Sequence, residues 1–291
     1  MNSHNPQFIN GLQDIADNYD HFIIDIYGVL HDGIEAFSGT VECLNQLQNA
    51  GKQICLLSNS PRRAGGTRFQ MENYFGIPSG HYHHIVTSGE ATYNDLKTRK
   101  EILGEKCWFI GKSVMEEVTE GLGFDLLDGP EHANFVLNSI PELGDRDRVK
   151  LMTDLALAAA KNLPMLCANP DLVVNIGATQ YECAGTFAAA YEEMGGLVTY
   201  HGKPHAPVYE WAWQLLGRPP KEKILAIGDS LHTDIAGANS FGIDSAFNLV
   251  GIHWEEVQLD HAPGQADLAK IQRILEAQAH RPTYSLAGFS W

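Results

Sequence analysis

The chain has 291 residues, 44% hydrophobic and 19% charged, enough for one large or two modest domains with proper cores. Acidic residues outnumber basic ones 36 to 20, a formal charge of −16, which argues against a nucleic-acid partner, since a phosphate-backbone binder needs a basic surface. No stretch approaches the ~20 apolar residues of a membrane span, and the N-terminus lacks a basic segment followed by an apolar core, so a cytoplasmic protein without membrane partners is expected.

Apolar runs alternate with amphipathic segments from the start. FIIDIYGVL is continuous, β-branched and short, the pattern of a strand buried on both faces. VECLNQLQNAG then carries Val41, Leu44 and Leu47 at helical spacing, with Gly51 as a stop. KQICLLSNS and HHIVTSG read as strands, GGTRFQMENYFG and EATYNDLKTRKEILG as helices. This βαβαβα order predicts a parallel sheet covered by helices on both faces. From about 104 to 198 the pattern restarts, with strands CWFIG, NFVLNS, PMLCAN and VVNIG between helices SVMEEVTEGLG, DRVKLMTDLALAAAKN and TFAAAYEEMGG. KILAIGDS, TDIAGANSFG, DSAFNLV and QADLAKIQRILEAQAH then continue as strand, helix, strand and helix. The tail RPTYSLAGFSW has three aromatics and no periodicity, and is expected to pack on the core surface. The five cysteines (Cys43, Cys55, Cys107, Cys167, Cys183) are odd in number and scattered, as buried free thiols are.

Four segments carry the chemistry, and they lie on both flanks of the middle unit. They are HFIIDIYGVLHDG (21–33), ICLLSNSPRR (54–63), HGKPH (201–205) and ILAIGDSLHTDI (224–235). Three end an apolar run in a polar cluster, as a strand does when it delivers side chains to a sheet edge. Asp25 closes a buried strand, a costly place for an acid unless a metal or a salt bridge is near. Asp229 and Asp234 flank a strand-to-helix turn; they suit a hard cation such as Mg2+, while Ser230 or Thr233 could simply cap the helix. Ser58 and Asn59 could hold an anionic oxygen or merely form a turn. Lys203 could neutralise a phosphoryl group, or be an ordinary loop lysine. In an open parallel sheet the carboxyl ends of the strands form the ligand crevice, so the four segments would converge there. The middle unit is then an insertion, 104–198, between core parts 1–103 and 199–291.

With DIYGVL, LLSNSPRR, GKP and GDSLHTD in this order, the chain resembles the haloacid dehalogenase superfamily of aspartate-nucleophile hydrolases. The insertion, with ANPD (168–171) and AGTFAAAYEEMGG near its end, resembles the class IIA capped subfamily, which includes nucleotide, sugar-phosphate and nitrophenyl phosphatases. The resemblance implies a doubly wound, Rossmann-like α/β core with an inserted α/β cap, and Mg2+-dependent hydrolysis of a small phosphomonoester. Asp25 would attack phosphorus and become an aspartyl-phosphate. Mg2+ would be held by Asp25, the backbone carbonyl of Tyr27 and Asp229, with Asp234 supporting. Ser58 and the Asn59 amide would hold phosphoryl oxygens, and Lys203 would balance their charge. Asn169 and Asp171 would face the crevice from the cap and help choose the leaving group. A small phosphorylated metabolite is the expected partner, and a homodimer through the cap the expected assembly.

Tyr27 departs from the pattern. The superfamily's phosphatases have aspartate there, protonating the leaving alcohol and activating water, help typically worth ~10² to 10⁴ in rate. A phenol, with a reference pKa of about 10, is a poor base at neutral pH. Three readings follow. The protein is a phosphatase in which another group acts, with His31, Asp32, His205 and His232 beside the motifs. It is a relative that binds phosphate without efficient turnover. Or Asp-x-Tyr-Gly marks a 2-haloacid dehalogenase, against which GDSLHTD keeps the metal acids. HYHH (81–84) reads as a solvated turn rather than a zinc site, Trp211, Trp213 and Leu215 as core packing, and RRAGGTR (62–68) as a helix start.

Overall fold

The computed structural model describes residues 6–140, 145–176, 179–259 and 262–291. In chain order the first elements are β1 (Gln7–Ile9), β2 (His21–Ile24), α1 (Thr40–Asn49), β3 (Gln53–Ser58), α2 (Ala64–Asn73), β4 (His84–Thr87) and α3 (Ser88–Leu103). A second group follows: β5 (Lys106–Ile110), β6 (Asp125–Leu127), β7 (Phe135–Asn138), α4 (Asp145–Ala160), β8 (Met165–Cys167), β9 (Val173–Ile176), β10 (Thr179–Glu182), α5 (Ala184–Glu193) and β11 (Val198–Tyr200). The last are α6 (Ala206–Leu215), β12 (Ile224–Gly228), α7 (Ala236–Phe241), β13 (Asp244–Asn248), α8 (Trp254–Val257), β14 (Gln258–Leu259), β15 (Ala262–Ala266), α9 (Leu268–Glu276) and β16 (Tyr284–Leu286).

The core is a parallel seven-stranded sheet in the order β1-β16-β13-β12-β2-β3-β4. The central strands β2, β3 and β12 carry apolar runs because both faces are covered. Successive side chains of a strand point to opposite faces. Phe22 and Ile24 of β2, Ile54 and Leu56 of β3, and Leu225 and Ile227 of β12 therefore pack with Leu44 and Leu47 of α1 and Met71 of α2. Ile23, Cys55, Leu57, Ile224 and Ala226 face the other way, onto Val208, Tyr209 and Ala212 of α6 and Phe241 of α7. The inserted α/β cap has its own parallel five-stranded sheet, β11-β8-β7-β5-β6. One face of it is covered by α4 and α5, through Leu155, Phe187 and Tyr191. The other packs on Leu96 and Leu103 of α3, which thereby joins the two sheets.

Several elements differ from the sequence expectations. SVMEEVTEGLG is not an α-helix but a run of 3-10 turns at Ser113–Thr119, cut short by left-handed backbone at Gly121 and Gly123. Of VVNIG, Val173–Ile176 becomes β9, while Gly177 lies outside the described residues; β9 stays out of the cap sheet, pairing antiparallel with β10 in a separate hairpin. The helix after GDS opens with a wide π-type turn at Leu231–Ile235, because the Asp234 carboxylate accepts the Ser230 amide at 3.1 Å and Ser230 Oγ accepts the Thr233 amide at 3.3 Å. The tail does not lie on the surface: Tyr284–Leu286 enters the core sheet as β16, between β1 and β13. All five cysteines are buried free thiols.

Candidate active site

Parallel register decides what the strand ends bring together. Ile24 of β2 pairs with Leu56 of β3 on one side and Ile227 of β12 on the other. The next residue, Asp25, donates its amide to the Ile227 carbonyl at 2.9 Å. Asp25 and Asp229 therefore emerge side by side at the carboxyl edge, with Ser58 at the end of β3. Asp234 comes back from the π-type turn, and one ligand oxygen from each of Asp25, Asp229 and Asp234 lies within 4.8 Å of the others.

Lys203 arrives from the return of the cap to the core. Its Nζ lies 2.6 Å from Asp25 Oδ1 and 2.7 Å from Asp234 Oδ1. Its backbone is fixed by Asn59: the Lys203 amide donates to Asn59 Oδ1 at 2.7 Å, and Asn59 Nδ2 donates to the Lys203 carbonyl at 3.0 Å. Asn59 Nδ2 also reaches the Asp171 carboxylate of the cap at 2.8 Å, and Asn169 Oδ1 accepts the Asp171 amide at 3.0 Å. One side chain of the core thus holds the lysine loop and the cap loop together.

The electrostatics are unbalanced. Asp25, Asp229, Asp234 and Lys203 are 7, 6, 4 and 2% exposed, so water does little to neutralise them. Fully ionised, they would carry two excess negative charges. Burial, with Asp234 adding to it and Lys203 opposing, pushes the Asp25 carboxyl up to about 7. Burial, Asp25 and Asp234 raise Asp229 well above the carboxylate range, although Asp229 Oδ2 accepts the Ile252 amide at 2.7 Å. Burial alone would lower the Lys203 ammonium, but Asp234 and Asp25 raise it. Asp171 is also raised by burial, against Lys203 and Asn59. A divalent cation fits this cluster: it would take carboxylate oxygens and remove the excess charge.

Tyr27 points across to the cap. Its hydroxyl lies 2.7 Å from the Asp32 carbonyl oxygen and 2.6 Å from the Asn175 carbonyl oxygen, sharing one hydrogen between them. Burial, with Asp32 and Asp229, pushes the phenol up to about 12. The other acid–base candidates are placed as follows. His31 is buried, stacked on Phe75 at 3.8 Å, and accepts the Gly33 amide on Nδ1. Burial pushes it down to about 4. Burial would raise Asp32, but the Glu35 and Ile34 amides on its Oδ1 hold it low. His205 stacks on Tyr200 at 4.9 Å, and His232 is exposed.

Elsewhere, His83 Nδ1 accepts the Ile54 amide within HYHH. Arg63 forms a two-point ion pair with Glu90 at 2.7 and 2.8 Å and covers the Tyr93 ring. Trp211, Trp213 and Leu215 pack against the α6 face of the core. Three contributors were not expected from sequence. Asn248 Nδ2 donates to the Gly28 carbonyl at 2.9 Å, Tyr209 OH donates to the Asp234 carbonyl at 3.0 Å, and Ile252 gives its amide to Asp229. Asn248, like Asp25, is a polar residue at the carboxyl end of a largely buried strand; Tyr209 and Ile252 carry no such signal.

Comparison with known proteins agrees with this arrangement. The family model for haloacid dehalogenase-like hydrolase matches residues 22–125, and a second HAD-hydrolase-like model matches 200–277. The ribonucleotide monophosphatase NagD of Escherichia coli is 26% identical over 235 residues, 79% of this chain and 87% of NagD. The sugar-phosphatase AraL of Bacillus subtilis is 26% identical over 233 residues, 79% of this chain and 82% of AraL. A crystal structure of a haloacid dehalogenase-like family hydrolase from Brucella suis superposes with a TM-score of 0.80 at 30% identity, covering 97% of this chain and all of that one. With motifs, sheet order and near-complete structural correspondence in agreement, this chain belongs to the haloacid dehalogenase-like hydrolases.

Proposed function

We propose that the protein hydrolyses a small phosphomonoester, such as a sugar phosphate or a nucleotide, through an aspartyl-phosphate on Asp25. The observation that carries this reading is the buried cluster of Asp25, Asp229 and Asp234 around the Lys203 ammonium at the carboxyl edge of a parallel sheet. The phosphatase names of NagD and AraL support it. An Asp25 carboxylate oxygen attacks phosphorus, the bond from phosphorus to the substrate oxygen breaks, and the leaving oxygen takes a proton from solvent water to depart as the alcohol, a proton that the following hydrolysis returns to solvent. Water then cleaves the aspartyl-phosphate, releasing phosphate and regenerating Asp25. Asp25, Asp229, Asp234 and the Tyr27 carbonyl would hold Mg2+, which supplies charge neutralisation of the phosphoryl oxygens. Lys203 opposes the upward push of burial on Asp25, favouring its ionised form, and adds a positive charge beside the incoming phosphate. Ser58 Oγ accepts the Ser60 amide at 3.2 Å, which leaves its hydrogen to donate to a phosphoryl oxygen. The segment 104–198 acts as a cap on core parts 1–103 and 199–291, and Asn169 and Asp171 present its face to the leaving group.

A phosphate-binding relative with little turnover is the second reading, favoured by the Tyr27 hydroxyl lying between two carbonyls rather than free to move protons. One experiment separates the two. Phosphate release is followed from nitrophenyl phosphate and a panel of sugar and nucleotide monophosphates, with Mg2+ and with chelator, for the natural chain and Asp25→Asn. Turnover that needs Mg2+ and disappears in Asp25→Asn is expected. No release from any substrate, with Mg2+ still stabilising the fold, would select the binding reading.

A further inference from the structure

Tyr27 has a built environment of its own. His31 meets its ring edge-on at 5.3 Å, and His31 is stacked in turn on Phe75. The loop past His31 folds back so closely that a Cβ on Gly33, at φ +90°, would sit 2.5 Å from the Tyr27 hydroxyl. That loop also presents the Asp32 carbonyl to the hydroxyl. Ring, hydroxyl and reach are thus all fixed by residues of one segment, YGVLHDG. What the segment holds up is a hydrogen-bond donor aimed at the cap.

Its target needs a tether. The β9–β10 hairpin joins neither sheet, and a lone two-stranded hairpin is at best marginally stable in water. Within the cap it is braced by Arg148, whose guanidinium makes a two-point pair with Glu182 at 2.9 and 3.0 Å. Across the hairpin Gln180 Nε2 donates to Asn175 Oδ1 at 3.2 Å, which fixes Asn175. Among the described residues, the hydrogen bond that ties the hairpin to the core is the one from Tyr27 to the Asn175 carbonyl. Four residues before Asn175, in the loop that leads into β9, Asp171 is tied to Asn59. The cap segment over the acid cluster is therefore pinned at two points, by Asn59 at one end and Tyr27 at the other.

We propose that the Tyr27 hydroxyl is a positioning group that docks the β9–β10 hairpin over the active site. Residue 27 then acts through the closed cap, holding the wall against which substrate is oriented, and it carries no proton in the reaction. An aspartate at this position would be too short to reach the hairpin. The kinetic part of the test rests on the phosphatase reading above, whereas the exchange part does not depend on any activity.

Tyr27→Phe tests this, since it keeps the ring against His31 and removes only the hydroxyl. Amide hydrogen exchange of the full chain is compared at Val173–Ile176 and Thr179–Glu182, with β2 and β12 as internal controls. Exchange at least tenfold faster in the hairpin, with the control strands and the melting temperature unchanged, is expected. With nitrophenyl phosphate and Mg2+, KM is expected to rise about tenfold, while kcat falls far less than the ~10² or more lost with a proton-transfer group. Hairpin exchange equal to that of the natural chain would overturn the proposal, whatever the kinetics. So would a hundredfold loss of kcat at unchanged KM, which would make Tyr27 a proton-transfer group instead. If no substrate of the panel above is turned over, the phosphatase reading fails and the exchange result alone decides the docking role.

Discussion

Gly28 has a backbone conformation and a position that no other residue satisfies together. Its φ is +80°, in the region that side-chain-bearing residues rarely adopt, and a Cβ there would sit 2.0 Å from Asp229 Oδ2. Its carbonyl is held by Asn248 Nδ2, so the peptide cannot rotate away without losing that bond. Gly28→Ala is therefore expected to displace the Asp229 carboxylate from the acid cluster. Strain of this kind costs about 1–3 kcal/mol, so the variant should still fold, with a lowered melting temperature. Phosphate release should fall at least ~10², the scale of losing one preorganised group; a natural rate would show that Asp229 need not stay where it is. Asp25, Asp229 and the strand-end Ser58 and Asn59 were legible in the sequence because each lies at the end of, or just after, an apolar run, with Asp234 in the turn that follows; Lys203 was legible only through the place of HGKPH among the other three segments. The direction of Tyr27 was not. Its partner Asn175 lies 148 residues away, and nothing in the periodicity of either segment relates them. The same holds for Tyr209, whose hydroxyl serves Asp234 from a helix that reads simply as core.

At the level of elements, the central strands could be read because burial on both faces leaves continuous apolar runs in β2, β3 and β12. The sheet edge could not. β1 and β16 have three residues each, too few to show a period, and they exist as strands because they pair with each other and with β13. The tail is consequently structural. Thr283 donates its amide to the Ser245 carbonyl at 2.8 Å and its hydroxyl to Asp244 Oδ1 at 3.0 Å. Leu249 donates to the Leu286 carbonyl at 3.0 Å, and Leu12 to the Ser290 carbonyl at 2.8 Å. Leu286 and Phe289 are both buried. Burying two such side chains contributes about 4 kcal/mol, a large share of a typical 5–15 kcal/mol. A chain ending at Arg281 should therefore unfold at a markedly lower urea concentration, through loss of β16 and the stranding of β1. The acid cluster lies just past β2 and β12 and in the turn that follows β12, not on the deleted strand, so phosphate release per folded molecule should survive at low temperature. An unchanged urea midpoint would mean that β16 is an adornment of the sheet rather than part of it.

The charge of the whole molecule makes its stability depend on pH in two opposing ways. His21, His31, His84, His205 and His253 are all lowered from 6.5, in each case chiefly by burial. Below pH 6.5 the unfolded chain binds protons that these folded imidazoles refuse, so stability falls as pH falls, down to about 4 for His31. At pH 5.5 His31 alone accounts for about 1.4 kcal/mol, one pH unit below the unfolded value. Asp25 works the other way. Its folded carboxyl is raised to about 7 against 3.8 when unfolded, so without a cation the folded chain takes up a proton first and gains stability between those values. Asp229, raised by burial and by Asp25, adds to that gain. Mg2+ bound by the acids reverses the second effect, because protonation then competes with the cation instead of relieving repulsion. The melting temperature should accordingly fall more steeply between pH 7.5 and 5.5 with saturating Mg2+ than with chelator, where the aspartates offset the histidines. At pH 7.5 Mg2+ should raise the melting temperature, and at pH 5.5 that advantage should shrink. Equal slopes in the two conditions would mean that no cation occupies the acid cluster, and the excess negative charge beside Lys203 would then have to be relieved by protonation alone.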